Sequence, residues 1–255
     1  MELTNKEKAI ALLKSIETGS QESFAYIDAD NYIQHNLAYA NGLTGIRVLL
    51  QQLPPNSAKV NIVRIFQDDD FIFTHNEYNF FGAKTGFNIF RFENGRIVEH
   101  WDNLQQTPVN PSPSGHTMID GVREIEDFDK TSENKRLVKS FIDDIFVHGK
   151  IHKLDNYFDG DNFIQHNPHT PDGISGLKDI FEKLAEQGIF IKYHTIHKIL
   201  GEGNFVLVVS EGYFGVDYDS FYDLFRVENG KIAEHWDVIE PITSRLTWNN
   251  NNGKF

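Results

Sequence analysis

The sequence contains no cysteine. This excludes disulfides, thiolate nucleophiles and thiolate metal sites together, and nothing points to an oxidising compartment. Positive charge is also scarce, with 24 Lys and Arg against 37 Asp and Glu and a formal net charge of -13. The deficit is shared along the chain: nine basic and fourteen acidic residues precede residue 121, and fifteen and twenty-three follow it. A nucleic acid or an anionic membrane would need a basic face, so neither is an expected partner. No run approaches the roughly 20 apolar residues of a membrane helix. The start, MELTNKEKAIALLKSIETG, has the pattern of a charged amphipathic helix and lacks a signal-peptide core. A soluble cytoplasmic protein is the expectation.

What is present is apolar and repeated. Hydrophobic residues make up 40% of the 255, and 21 are phenylalanine, enough to bury one large core or two of ordinary size. The segment FRFENGRIVEHWD, Phe90 to Asp102, returns as FRVENGKIAEHWD, Phe225 to Asp237, with ten of thirteen positions identical. DNYIQHN at Asp30 returns as DNFIQHN at Asp161, and the glycines of GLTG (Gly42, Gly45) return in GISG (Gly173, Gly176). A period this long is a duplicated domain rather than a solenoid repeat. The expected organisation is copy 1 over 1–107, a linker over 108–131, copy 2 over 132–247 and a tail over 248–255. The Pro-, Ser- and Gly-rich start of the linker reads as exposed, and TWNNNNGKF reads as a disordered tail with Trp248 anchoring its start.

Each copy opens with an amphipathic helix. Ala9, Ile10, Leu13 and Ile16 form one stripe; Leu137, Val138, Phe141, Ile142 and Ile145 form the other, with Asn5 and Ser132 as N-caps. A second helix follows each GxxG. Four strand-like runs then close each copy, in copy 1 about Lys59–Gln67, Phe71–Phe81, Thr85–Phe92 and Arg96–Leu104. Helices first and strands last is an α+β pattern. A four-stranded antiparallel meander wrapped on helices leaves a cone open at one end, a natural place for a small ligand.

Fold alone explains much of the repeated segment. Asn94-Gly95 and Asn229-Gly230 read as two-residue hairpin turns, and Trp101 and Trp236 read first as packing residues. The segment's end asks for more. Side chains alternate along a strand, so His100 and Asp102 share one face, as do His235 and Asp237. If the tryptophans pack outward, these pairs face the inside of the cone. There a carboxyl must be paired or its pKa rises, which suits a general base. The alternative is a pair bonded to itself or to backbone at a solvated mouth. His35 and His166, beside Gln34 and Gln165, belong to the other repeated element and are either structural or pocket groups.

The combination YIQHN, GxxG and FRxENGxIxEHWD resembles the SnoaL-like polyketide cyclase group of the NTF2-like superfamily, over nearly all of both copies. The resemblance implies tandem NTF2-like (cystatin-like) cones. It also implies homodimer-like pairing, so that two fused copies form a pseudo-dimer within a monomer. The family's cyclases run an intramolecular aldol condensation without metal or cofactor. By motif position the base maps to Asp102 and Asp237 and a polarising histidine to His100 and His235. His35, Gln34, His166, Gln165, Trp101 and Trp236 are then implied pocket groups. Two departures separate the copies: Asn88 stands where copy 2 has Asp223, and His75 where copy 2 has Val209. All four positions are pocket candidates except the valine.

Three functions compete. One is a cofactor-independent acid–base enzyme, an aldol-type cyclase, lyase or isomerase acting on a small apolar carbonyl compound. Another is a small-molecule binder with no chemistry. The last is a metal enzyme using His35, His75, His100 and Asp102. The expected reading has no cofactor and no metal, with a small molecule as the partner.

Overall fold

The structure, a computed structural model, describes residues 2–53 and 57–255. The chain forms two compact units, one of Met1–Thr107 with Ile242–Phe255, the other of Pro108–Pro241. Each has its own sheet and its own apolar core.

In unit 1, helix α1 (Asn5–Thr18) starts with a capping box one residue earlier than expected. Thr4 is the cap: its hydroxyl accepts from Glu7 N–H at 3.3 Å while the Glu7 carboxylate accepts from Thr4 N–H at 2.7 Å. Ala9, Leu12 and Leu13 are its buried face. Strand β1 (Ile33–Gln34) and helix α2 (Leu43–Gln52) follow, then β2 (Lys59–Asp68), β3 (Phe71–Asn79), β4 (Ala83–Glu93) and β5 (Arg96–Gln106). The sheet order is β1-β5-β4-β3-β2. All neighbours are antiparallel except β1, which runs parallel to β5 and pairs Gln34 with His100. That pairing brings the two repeated motifs together. α1 packs on β2 and β3.

Unit 2 repeats this with α3 (Thr131–Ile142), β6 (Ile164–Gln165), α4 (Gly173–Glu186), β7 (Ile191–Glu202), β8 (Phe205–Phe214), β9 (Asp217–Glu228) and β10 (Lys231–Pro241), in the order β6-β10-β9-β8-β7. Ser132 lies inside α3 instead of capping it, because the helix continues from a 3₁₀ turn over Phe128–Lys130. Both hairpin turns have positive φ at the two central residues, 49° and 72° at Asn94-Gly95 and 51° and 72° at Asn229-Gly230. The GxxG motif is also backbone geometry. Its first glycine has positive φ, and a Cβ on its second would lie 2.3 Å from Ala40 O in unit 1 and 2.7 Å from Pro171 O in unit 2.

One expectation fails in an informative way. The tail does not hang free. Asn250 Nδ2 donates to Asn36 O (2.8 Å) and Tyr39 O (2.9 Å), and Asn252 Nδ2 donates to Gln34 O (2.8 Å). Lys254 Nζ donates to Asp102 O at 2.9 Å. Asparagine reads as polar and unstructured in a one-dimensional pattern, yet its amide is suited to satisfying loop carbonyls. Most of the linker's Pro-, Ser- and Gly-rich start is exposed, while Ser112 and Met118 are buried and Trp236 Nε1 donates to Asp120 O at 2.9 Å.

Candidate active site

The letters of EHWD divide between two faces of β5 and β10. In unit 1, His100 and Asp102 point inward with Gln34, Asn36 and Asn88. They line a cavity of about 70 Å³ whose wall includes Leu12, Leu13, Ile16, Phe80, Phe90 and Leu104, with Tyr32, Tyr39 and Tyr78. Glu99 and Trp101 point to the other face. There His35 stacks on Trp101 with centroids 4.8 Å apart, and its Nε2 lies 2.9 Å from Glu99 Oε1. Glu99 is held in turn by Arg91 Nε at 2.7 Å. His35 and Trp101, pocket candidates in the sequence, are therefore outside the cavity. His75 is too: it is buried, stacked on Phe87 and 3.1 Å from Arg64 Nη1. The reason is strand alternation, since Tyr78 takes the inward parity of β3 and His75 takes the outward one. The four-ligand metal set His35, His75, His100 and Asp102 is split between faces by the same rule.

Asp102 is 7% exposed. Its Oδ2 accepts from Asn36 Nδ2 at 2.7 Å, while Oδ1 is buried with no hydrogen-bond partner. Burial pushes its carboxyl above the ordinary aspartate value, partly offset by the Lys254 ammonium, the Asn36 amide and His35. Asp237 repeats this geometry, with Asn167 Nδ2 at 2.7 Å from Oδ2 and a buried, partnerless Oδ1, and burial again raises its pKa. Asn36 and Asn167 were missed as site residues, although both lie in the repeated QHN.

The histidines differ. His100 Nδ1 lies 3.0 Å from Gln34 Oε1, which also accepts from Asn36 N–H, and His100 Nε2 lies 2.9 Å from the Asn88 amide. With no carboxylate beside it, burial pulls the His100 pKa down to about 3, so the ring is neutral. A neutral ring donating to Gln34 needs a donor at Nε2. The Asn88 amide supplies one when its NH₂ faces His100 and its carbonyl faces the Tyr78 hydroxyl. In unit 2, Asp223 replaces this amide: His235 Nε2 lies 3.0 Å from Asp223 Oδ1, and Tyr193 donates to Asp223 Oδ2 at 3.0 Å. His235 Nδ1 faces Gln165 Oε1 at 3.0 Å, as His100 Nδ1 faces Gln34 Oε1 in unit 1. His166 stacks on Trp236 at 4.7 Å, on the face away from Asp237, as His35 does in unit 1.

The two tyrosines come from different strands. Val60 on β2 is paired with Tyr78 on β3, whereas Tyr193 on β7 is paired with Gly212 on β8. The phenol thus reaches Asn88 or Asp223 from the adjacent strand in the other copy. No position-by-position comparison of the two copies could find it. In unit 2, Tyr193 packs on Phe146 and Phe221, with centroids 4.7 Å and 4.4 Å away, and fills the space beside Asp223.

Residues 138–235 match the SnoaL-like domain family. Among curated proteins, none matches the chain in sequence. Among solved structures, the chain is similar to IdmH from Streptomyces antibioticus, a candidate polyketide cyclase, with 18% identity, 40% of this chain and 93% of that one covered and a TM-score of 0.35. It is also similar to a protein of unknown function with a cystatin-like fold from Xanthomonas campestris (22%, 42% and 89%, TM-score 0.36). An LEH-like epoxide hydrolase from M. tuberculosis is a further similar structure (21%, 44% and 85%, TM-score 0.35). Among the described residues, no helix is long and apolar enough to cross a membrane.

Proposed function

With residues 138–235 a SnoaL-like domain and the same α+β topology standing ahead of it in the chain, we propose that the protein is a cofactor-independent acid–base enzyme. Unit 1 is its working site and Asp102 its base. The substrate class is a small apolar carbonyl compound, and the reaction an aldol-type cyclisation, lyase step or isomerisation that begins by removing a proton next to the carbonyl. The observation that carries this reading is the Asp102 carboxylate on the wall of an apolar cavity, with one oxygen anchored by Asn36 and the other buried without a hydrogen-bond partner. A bare, desolvated carboxylate oxygen is a proton acceptor whose strength water does not dissipate. The chain of Gln34, His100, Asn88 and Tyr78 on the same wall is neutral, and an enolate oxygen would draw one of its donors out of its internal bond. A cavity of about 70 Å³ holds only a few heavy atoms. A ring-sized substrate requires α2, whose only buried residue is Gly45, to move outward.

The test is deuterium exchange at the α-carbon of small cyclic ketones in D₂O, followed by NMR. The wild type should accelerate exchange, Asp102→Asn should abolish the acceleration, and Asp237→Asn should retain it. Ketone binding without exchange, equal in wild type and Asp102→Asn, would instead establish a ligand-binding protein without chemistry.

A further inference from the structure

Away from the inward-facing pairs, unit 2 carries two histidines around one carboxylate. His166 Nδ1 lies 2.7 Å from Asp120 Oδ1 and 2.9 Å from the Thr117 carbonyl oxygen, and His116 Nδ1 lies 3.4 Å from Asp120 Oδ2. One ligand atom from each of the three side chains falls within 4.8 Å of the others. We propose that His116, Asp120 and His166 form a divalent-cation site that pins the 116–120 segment to β6.

The carboxylates behind the rings support this assignment. His166 Nε2 lies 2.9 Å from Glu234 Oε1, and Glu234 is fixed by Arg226 Nε at 2.8 Å. His116 Nε2 lies 3.2 Å from Asp172 Oδ2, and the other oxygen of Asp172 accepts from Gln165 N–H at 2.9 Å. Each remote nitrogen therefore donates its proton to an anchored carboxylate. In a neutral ring this leaves Nδ1 as a lone pair directed at the cluster, the arrangement that orients metal-bound histidines. A lone pair facing a carboxylate and a carbonyl is repulsive unless a proton or a cation lies between them. In unit 1 the corresponding His35 Nδ1 lies 2.9 Å from the Gly253 carbonyl oxygen, with Nε2 2.9 Å from Glu99 Oε1. Unit 2 adds a second imidazole and a carboxylate at that point, with the two ring centroids 5.0 Å apart, so three side-chain ligands converge there. Glu228 and Glu234 share the Arg226 guanidinium, while Asp120 and Asp172 face the His116 ring, and a dication at the cluster adds positive charge among these carboxylates.

Two imidazoles, a carboxylate and a backbone carbonyl suit a borderline ion such as Zn²⁺, Co²⁺ or Ni²⁺ better than Ca²⁺ or Mg²⁺. Bonds of about 2.0–2.2 Å need the widest of these separations to close, drawing the half-exposed His116 and Asp120 inward. The ion would serve as a structural tether, independent of the chemistry proposed for unit 1.

Chelator-treated full-length protein should bind one equivalent of Zn²⁺ by calorimetry with Kd below about 10 µM. Binding should raise Tm, and Co²⁺ should give visible d–d bands. His116→Gln and Asp120→Asn should each weaken binding by about 10-fold or more, while Asp237→Asn leaves it intact. Asp237→Asn separates this site from the inward cluster of Asp223, His235 and Asp237, whose ligand atoms also lie within 4.8 Å of one another. No saturable binding, binding unchanged in His116→Gln and Asp120→Asn, or binding lost only in Asp237→Asn would overturn the proposal. His116 is partly exposed, so His116→Gln tests the ligand without opening the core.

Discussion

Replacing Asp102 with asparagine should make the protein more stable at neutral and alkaline pH while removing the proposed base. Burial raises the Asp102 pKa, so the folded state holds this proton more tightly than the unfolded state does. The resulting cost is absent below the ordinary aspartate value and fully present once pH exceeds the folded value. Its size follows from the geometry. One oxygen keeps its bond to Asn36 in either side chain, and the other terminal atom, Oδ1 or the amide nitrogen, stays buried without a partner in both, so the difference is the charge. An unsatisfied buried group costs about 1–3 kcal/mol when neutral and more when charged, so removing the charge is worth a comparable amount, and Asp102 at 7% exposed has little solvent to relieve it. Asp102→Asn should therefore gain about 1–3 kcal/mol at about pH 8, or about 2–4 °C in Tm per kcal/mol for a chain of this size, and much less at about pH 4. Urea unfolding of both proteins across this range measures the difference. A variant less stable than wild type by the same amount at every pH would mean that Asp102 is a satisfied structural carboxylate, and the base assignment would fall with it.

Asn88→Asp should convert the unit 1 site to the unit 2 arrangement, raising the His100 pKa from about 3; ring-proton NMR checks this, and an unchanged His100 would contradict the assigned pairing. Asn250→Ala removes one amide that serves two loop carbonyls and should cost about 1–3 kcal/mol, with faster hydrogen exchange across residues 34–41. Ordinary fraying-tail behaviour, with neither effect, would show that the tail is not part of unit 1. Tyr193→Phe takes the hydroxyl donor from buried Asp223 and should destabilise by about 1–3 kcal/mol; thermal unfolding reads the loss.

Periodicity and turn chemistry determine local structure without reference to the rest of the molecule. The duplication, the α+β order, the four closing strands and the Asn-Gly hairpins were therefore legible from residues alone. The same is true of the shared face of His100 and Asp102, because alternation along a strand is a property of the backbone. The faces of His35 and His75 were not legible. They depend on the parallel pairing of β1 with β5 and on which parity of β3 turns inward, both set by contacts remote in sequence. Nor were Tyr78 and Tyr193, which reach equivalent places from neighbouring strands, or Asn250 and Lys254, whose polar composition says nothing about the carbonyls they meet. Hydrogen-bond satisfaction inside a core depends on what converges there, and convergence between residues distant in the chain is decided only when the chain packs.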